Sequence, residues 1–412
     1  MKKFNFYSLL LVAAVSVFIY SCERDTEVDS PDASIDKLEE AKLITYSSET
    51  AIDGKYIVVF KDNAFPNAKS GPITAMDFEA EKRKMEVNAK SLFISKDMGE
   101  KVIDQTFVNA IKGVALELSN DELELLRKDS RVAYIEQDQI ITVKMGGPPG
   151  GGGGGGGTSP QQTPWGITRV NGGVDGTGKV AYILDSGIDA SHPDLNVDVA
   201  RGFNAFSNGP DADLTFDGSG HGTHVAGTVA AIDNEIGVIG VAAGATVVPV
   251  KVLDRRGSGT ISGVVAGIDF VSTRSDCDAA NMSLGGGFSS ALNNAVQNAS
   301  SACPFALAAG NESTDAGTRS PASANGPNIY TVSSMAQGDN WSSFSNYGNP
   351  PVDYCAPGSG VLSTYKGDGY ATLSGTSMAS PHVCGILLLG NIRSGGTVNG
   401  DPDGNADTIA IH

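Results

Sequence analysis

The chain has 412 residues, room for two domains of which one holds a large core, with 52 glycines and only 18% charged residues. That balance suits a compact, loop-rich enzyme with small-residue helices. The formal charge is −18, and the part after the glycine run carries 10 Lys+Arg against 22 Asp+Glu, which argues against a nucleic-acid partner and reads as a solvated acidic surface.

In chain order, Lys2 and Lys3 precede an apolar run from Leu9 to Tyr20. The run is short for a membrane span and reads as an export signal. Ile19-Tyr20-Ser21-Cys22 resembles a bacterial lipoprotein box, in which the cysteine is lipidated and becomes the new N-terminus; ordinary signal cleavage is the alternative. The expected location is therefore the cell envelope, as a lipoprotein, or the extracellular space. Membrane contact is expected only through Cys22. Residues 1–22 form the signal, and residues 23–53 an acidic, polar tether expected to be disordered.

Residues 54–144 read as a separate small domain. Tyr56 to Phe60 is a strand. Thr74-Ala75-Met76-Asp77 has the look of a capping box, and a Lys/Glu-rich helix runs to Ser95. Gln105 to Asn109 and Gly113 to Leu118 alternate as strands, and Ser119 with Glu122 caps a second helix to Lys128. Val132 to Asp138 is the last strand. The order β-α-β-β-α-β predicts a ferredoxin-like α+β fold. Residues 145–160, with the unbroken run Gly150 to Gly157, form a flexible, protease-accessible linker, and maturation is expected near Val143 to Met145 or within the run.

Residues 161–412 predict an α/β domain. Strands fall at Val180 to Leu184, Val247 to Val252, Ala280 to Leu284, Phe305 to Ala309 and Ile329 to Val332. Helices lie between, at His221 to Ala231, Thr260 to Ser272 and Ser289 to Ser301, giving a doubly wound parallel sheet covered on both faces. Four cysteines besides Cys22 allow three pairings. Cys277 and Cys303 each precede a strand at the same sheet end, which favours that pair; Cys355–Cys384 is its complement, and buried thiols are the alternative. Only 35 residues follow Ser377, and Gly395 to Asn405 is not helical, so the C-terminal helical layer is expected to be minimal.

The chemistry centres on Gly375-Thr376-Ser377-Met378-Ala379-Ser380-Pro381-His382, a small-residue turn entering the apolar run Val383 to Leu389. Ser377 would stand at a helix start, where N–H groups lack intrahelical partners and the potential is positive. Pro381 is placed in the first turn, where proline is tolerated. A serine needs a base, and the base an orienting acid. His221, in Gly220-His221-Gly222-Thr223-His224, follows a glycine-rich loop, and Asp185 ends the apolar strand Ala181 to Leu184. His221 and His224 could share a metal, but no His-Glu-x-x-His pattern accompanies them. His192 and His382 read as structural. Gly257-Ser258-Gly259 and Ser283-Leu284-Gly285 are small-residue edges between which a peptide can add as a strand.

These stretches resemble the subtilisin-like serine peptidases, and among them the proteinase K branch, over Pro164 to Leu389; Val132 to Asp138 carries a separate resemblance to the family's inhibitory pro-region. The resemblance implies a zymogen whose pro-region chaperones folding, inhibits its own enzyme and leaves its tail in the cleft. It implies Ser377 as nucleophile, His221 as general base and acid, Asp185 as orienting carboxylate, and Asn311 as oxyanion donor beside the Ser377 N–H. Ala308, Ala309 and Gly310 would line the primary pocket, with no acid in that segment, and Ile261 stands where relatives carry an aromatic over a distant subsite. A structural calcium is implied at Asp353 with the Pro321 and Ser323 carbonyls; catalysis needs no cofactor. The expected protein is a monomeric endopeptidase of broad specificity acting on protein and peptide substrates. An inactive surface-binding pseudoprotease is the alternative, opposed by the intact Asp185, His221, Asn311 and Ser377.

Overall fold

The computed structural model describes residues 40–47, 49–69, 71–143 and 160–412. The export signal with Cys22, residues 23–39 of the expected tether and the glycine linker to Ser159 lie outside the described residues.

The pro-region is β1 (Lys42–Ile44), β2 (Ala51–Phe60), α1 (Phe78–Ser95), β3 (Ile103–Phe107), β4 (Gly113–Glu117), α2 (Asn120–Arg127) and β5 (Val132–Thr142). Its sheet runs β1-β5-β2-β4-β3, the ferredoxin-like order with one strand added. That strand corrects the tether expectation. Residues 42–44 pair in parallel with Tyr134 to Glu136, and Tyr46 N–H donates to Gln137 Oε1 at 3.0 Å. Pairing covers what would otherwise be the open edge of β5.

β2 shows why the sheet sits where it does. Val58 and Phe60 face one way, into a core with Phe78, Met85, Leu92 and Phe93 of α1. Ile57 and Val59 face the other way, into the core of the peptidase domain. The strand period of two thus divides one strand between two cores. Ser119 and Glu122 form the expected reciprocal capping box. Thr74 to Asp77 does not. Thr74 Oγ1 bonds the Asp77 carboxylate at 3.0 Å, Asp77 gives no side-chain cap, and the helix starts only at Phe78. The acceptor that should meet a helix N–H is occupied by a neighbouring hydroxyl.

The second domain is built on β6 (Val180–Asp185), α3 (His221–Ala230), β7 (Thr246–Lys251), β8 (Ser258–Thr260), α4 (Ile261–Val271), β9 (Ala279–Met282), α5 (Ser290–Ala299), β10 (Phe305–Ala308), β11 (Ile329–Ala336), β12 (Val352–Pro357), α6 (Thr376–Leu389), β13 (Arg393–Thr397) and β14 (Thr408–Ile411). The main sheet runs β13-β14-β12-β11-β10-β9-β6-β7, parallel from β14 to β7. β6 is buried throughout. Tyr182 and Leu184 pack under α4 and α5, while Ala181 and Ile183 pack under α3 and α6. A strand covered on both faces needs no polar alternation, which is why Val180 to Leu184 reads as an unbroken apolar run. β6 lies between β7 and β9: the chain leaves β6 for β7 on one side and then crosses back over it to β9 on the other. Its carboxyl end is the switch point where such sheets open a crevice. Past α6, the β13–β14 hairpin extends the sheet edge in place of a helical layer.

Cys277 and Cys303 form a disulfide with Cα atoms 5.6 Å apart, at the entries to β9 and β10. Cys355 and Cys384 do not pair; both are free and buried. Cys355 lies among Met335, Val398 and Ile409, whereas Cys384 belongs to the core under α3 and α6. Pro381 also departs from expectation. It is the sixth residue of α6, in the second turn. Proline there leaves the Ser377 carbonyl without its i+4 donor. Ser283 Oγ supplies one at 2.7 Å.

Candidate active site

Asp185 ends β6 at the switch point and is wholly buried. Both its carboxylate oxygens face His221 Nδ1, at 2.8 and 3.0 Å, and Oδ1 also accepts from the Ser186 N–H. His221 opens α3 directly after Gly220, whose φ of +86° lies in the left-handed region that glycine occupies without strain. The loop is tied by Asp217, a residue the sequence reading missed. Its carboxylate accepts from Ser186 Oγ and from the N–H groups of Ser219, Gly220 and Thr223. Burial pushes the His221 imidazolium down, but the Asp185 charge and hydrogen bond outweigh it, and the His221 pKa stands above its ordinary value.

His221 Nε2 is buried and has no partner among the described residues. Ser377 Oγ, in the first turn of α6, donates to the Ser283 carbonyl at 3.1 Å. The hydroxyl is thus turned to Ser283 in this state and makes no hydrogen bond to His221 Nε2. Catalytic hydrogen bonds often tighten only with substrate in place. Asn311 follows β10, and its Oδ1 accepts from the N–H and Oγ1 of Thr376 at 2.8 and 2.9 Å. With the carbonyl end fixed, Nδ2 is the donor end of the amide. The Ser377 N–H, in the first turn of α6, has no carbonyl of its own helix to bond.

Ser377 and Asn311 line one cavity with Leu284, Gly285, Ala308 and Gly310. The expected peptide-binding edges hold the chain's own tail. Ile140, Ile141 and Thr142 of β5 pair antiparallel with Thr260, Gly259 and Ser258, and the Val143 N–H donates to the Gly257 carbonyl at 3.0 Å. On the other side Thr142 bridges Gly285. Thr142 and Val143 then line the cavity beside Ser377. This explains why β5 runs to Thr142 rather than stopping at Asp138: its last residues find a partner in the other domain. Ile141 is fully buried in the same core as Leu284, Ile261 and Val264. The cavity also holds an acid the sequence reading did not place there, Glu312, together with Arg319.

Three buried carboxylates hold the pro-region against the second domain, and none was singled out from sequence. Glu136 accepts from Ser289 Oγ, the Ala291 N–H at the start of α5, and the Tyr46 hydroxyl. Asp138 accepts from the N–H and Oγ of Ser262 at the start of α4. Negative groups at helix N-termini meet unpaired N–H groups and a positive potential. In return, Asp269 of α4 accepts from the N–H groups of Val108, Asn109 and Ala110.

The other histidines are engaged elsewhere. His224 Nε2 lies 3.1 Å from both the Val361 and Ala371 carbonyls, and burial lowers its pKa to about 3. His382 Nδ1 meets the Met378 carbonyl at 2.8 Å, and His192 Nε2 the Gly369 carbonyl at 2.9 Å. Asp353 Oδ2 accepts from the Thr331 N–H at 2.9 Å, and Thr331 Oγ1 donates to the Ala322 carbonyl, also at 2.9 Å. One threonine therefore ties Asp353 to the loop that carries Pro321 and Ser323.

The sequence model of the Subtilase family matches residues 176–391, and that of Peptidase inhibitor I9 matches residues 55–144. Alkaline serine protease ver112 of Corniculantispora psalliotae is 37% identical, over 86% of this chain and 84% of its own length. The cuticle-degrading protease of Metarhizium anisopliae is 35% identical, over 88% of this chain and 86% of its own. Alkaline serine exoprotease A of Vibrio alginolyticus is 38% identical over 85% of this chain, which spans only 62% of that relative's length. Among solved structures, a cold adapted subtilisin-like serine proteinase is similar at 37% identity and a TM-score of 0.53, covering 60% of this chain and 96% of that one.

Proposed function

The protein belongs to the subtilase family and carries an I9 pro-region, and from that premise we propose that Ser377, His221, Asp185 and Asn311 are the working residues of a self-inhibited endopeptidase. The supporting observation is the chain's own tail, laid as a middle strand between Gly257–Thr260 and Gly285 and reaching the cavity of Ser377. A peptide held by its main chain is read weakly by side chain, which supports broad specificity for neutral or apolar residues before the cut.

In the reaction, Ser377 Oγ turns from Ser283 to His221 Nε2, gives up its proton there and attacks the substrate carbonyl. The oxyanion receives the Ser377 N–H and Asn311 Nδ2. His221, now cationic and stabilised by Asp185, protonates the leaving amine. Water, deprotonated by the same nitrogen, releases the acyl group. Casein hydrolysis tests this reading: it should be abolished by a serine-directed sulfonyl fluoride. Casein left intact by the processed protein would point to the binding-only alternative.

The donors near Asp353 fit calcium. They are all hard oxygens, and Thr331, which donates to the Asp353 carboxylate, also bonds the Ala322 carbonyl in the loop that carries Pro321 and Ser323. Bound there, the ion would pin that loop to β12 and take no part in the chemistry. Chelation should lower the melting temperature by roughly 2–4 °C per kcal/mol of binding, with activity decaying slowly, and Asp353→Asn should diminish the response. Immediate loss at low temperature, fully restored by metal, would count against a structural ion.

We place the protein outside the cytoplasm as a monomer, held at the envelope by lipid on Cys22. Fractionation of Cys22→Ser against the parent tests the anchor; identical partitioning would rule it out.

A further inference from the structure

The turn of the β13–β14 hairpin carries an oxygen-bearing side chain at every second position: Asp401, Asp403, Asn405 and Asp407. A calcium loop draws its first side-chain ligands from positions with that same spacing. In such loops a glycine at the sixth position makes the sharp turn. Here Ala406 stands sixth, and the turn falls at Gly404, whose φ of +81° is left-handed. Asp401 accepts from the N–H groups of Asp403 and Asp407 at 3.3 and 3.2 Å, the long end of hydrogen-bond range, and Asp403 from that of Asn405 at 2.7 Å. Spacing and turns of this kind would by themselves describe no more than a solvated loop.

Asp407 sets the loop apart. It is 1% exposed. Its Oδ2 accepts from Ser333 Oγ on β11, whereas its Oδ1 is buried with no hydrogen-bond partner among the described residues. Asn349 is the neighbouring donor, but its Nδ2 meets the Asn405 carbonyl at 3.4 Å. The Asp401 and Asp403 charges both bear on Asp407. Arg169 reaches the Gly395 carbonyl of the same hairpin, yet its guanidinium is paired with Asp339. A buried carboxylate oxygen beside two further acids, with no donor of its own, is costly unless a cation joins it.

We propose that this turn is a calcium site, with Asp407 and Asp401 as its charged ligands and Asp403 and Asn405 completing the shell, and that it shares no residue with the Asp353 site. Among the described residues no three acidic side chains yet converge as a ligand set, so Asp401 and Asp403 must give up their loop N–H groups as the ion enters. Carboxylate and amide oxygens on a turn that adjusts suit calcium better than magnesium, which demands a near-ideal octahedron. The ion would fasten the hairpin, through Asp407, to Ser333 of β11. The hairpin is otherwise thinly held. β14 pairs with β12 at one position, Ile409 with Cys355, and its core there is the small cluster of Met335, Cys355, Val398 and Ile409.

The test titrates calcium alone, by calorimetry, into the chelator-stripped full chain carrying Ser377→Ala, to prevent self-cleavage, and Asp353→Asn, to silence the other site. Adding Asp407→Asn to that protein should remove one calcium equivalent or weaken its binding by about a hundredfold, because affinity follows the number of charged ligands. Asparagine keeps the volume, and its NH₂ can donate to Asp401. The calcium-free variant should therefore melt no lower than its parent, while the rise in Tm on adding calcium is lost. Asp403→Ala, at an exposed position, should weaken the same binding and leave the core alone. Magnesium at the same concentration should not reproduce the rise. Equal calcium binding by all three proteins, or none by any, would overturn the site. So would a fall in Tm for Asp407→Asn that is the same with and without calcium.

Discussion

A Ser377→Ala protein, expressed alone in a protease-deficient host, is expected to keep its pro-region joined to the peptidase domain. The tail already lies in the cleft. Its strand is fixed by the pairs Ile140–Thr260, Ile141–Gly259 and Thr142–Ser258, and Val143 is bonded to Gly257. Val143, the last described residue of that tail, lines the cavity of Ser377, so chain and nucleophile meet without a second molecule, and holding reactants together in this way removes the cost of encounter. Only the nucleophile is missing in the variant. Its hydrolysis of peptides should fall by roughly 10⁶-fold, a magnitude carried over from removal of the corresponding serine in subtilisin. N-terminal sequencing of the purified protein decides. A Ser377→Ala protein that begins after the glycine run would show that another protease matures it, and self-processing would be wrong even with the Ser377 assignment intact.

The parts of this molecule legible in the sequence are those whose signal is local. Asp185, His221 and Ser377 each sit in a short run whose backbone is set by its own residues: an apolar strand, a left-handed glycine and a helix start. The Ser119–Glu122 box spans one helical turn and was readable for the same reason. What escaped the sequence depends on distant partners. β1 has three residues in a polar stretch, and it is a strand only because β5 offers an edge. Glu136 and Asp138 look like ordinary strand polar residues until Ser289 and Ser262, more than a hundred residues on, arrive with helix N-termini. Cys355 and Cys384 could be read from sequence as a complementary pair or as buried thiols, and only their places in separate core clusters decide for thiols. Arg319 enters the cavity through a two-residue bridge to Gly287, a contact with no periodicity to announce it.

Asp185→Asn should leave a folded, processing-impaired enzyme with kcat lowered by about 10⁴-fold, the size seen when a triad aspartate becomes asparagine. The cause is the proton on His221. The Asp185 carboxylate only accepts, and both its oxygens face Nδ1, so the proton sits on Nδ1 and Nε2 is left basic. An asparagine that turns its NH₂ to Nδ1 forces the proton onto Nε2, the nitrogen that must receive the one from Ser377. The charge is lost as well. Burial pushes the His221 pKa down, and the Asp185 charge and hydrogen bond are what carry it above its ordinary value. Without them burial prevails and the pKa falls. Turnover needs neutral His221, so the acid limb of the kcat/KM profile should move to lower pH in the variant, while the plateau stays depressed because the tautomer is wrong at every pH. The residual rate belongs to the Ser377 N–H and Asn311, which the substitution does not touch. Profiles of parent and variant from pH 5 to 9 test both halves of the argument, in the same sense as any bell-shaped assignment. An acid limb that stays in place, or a loss of less than tenfold, would mean that Asp185 does not set the state of His221.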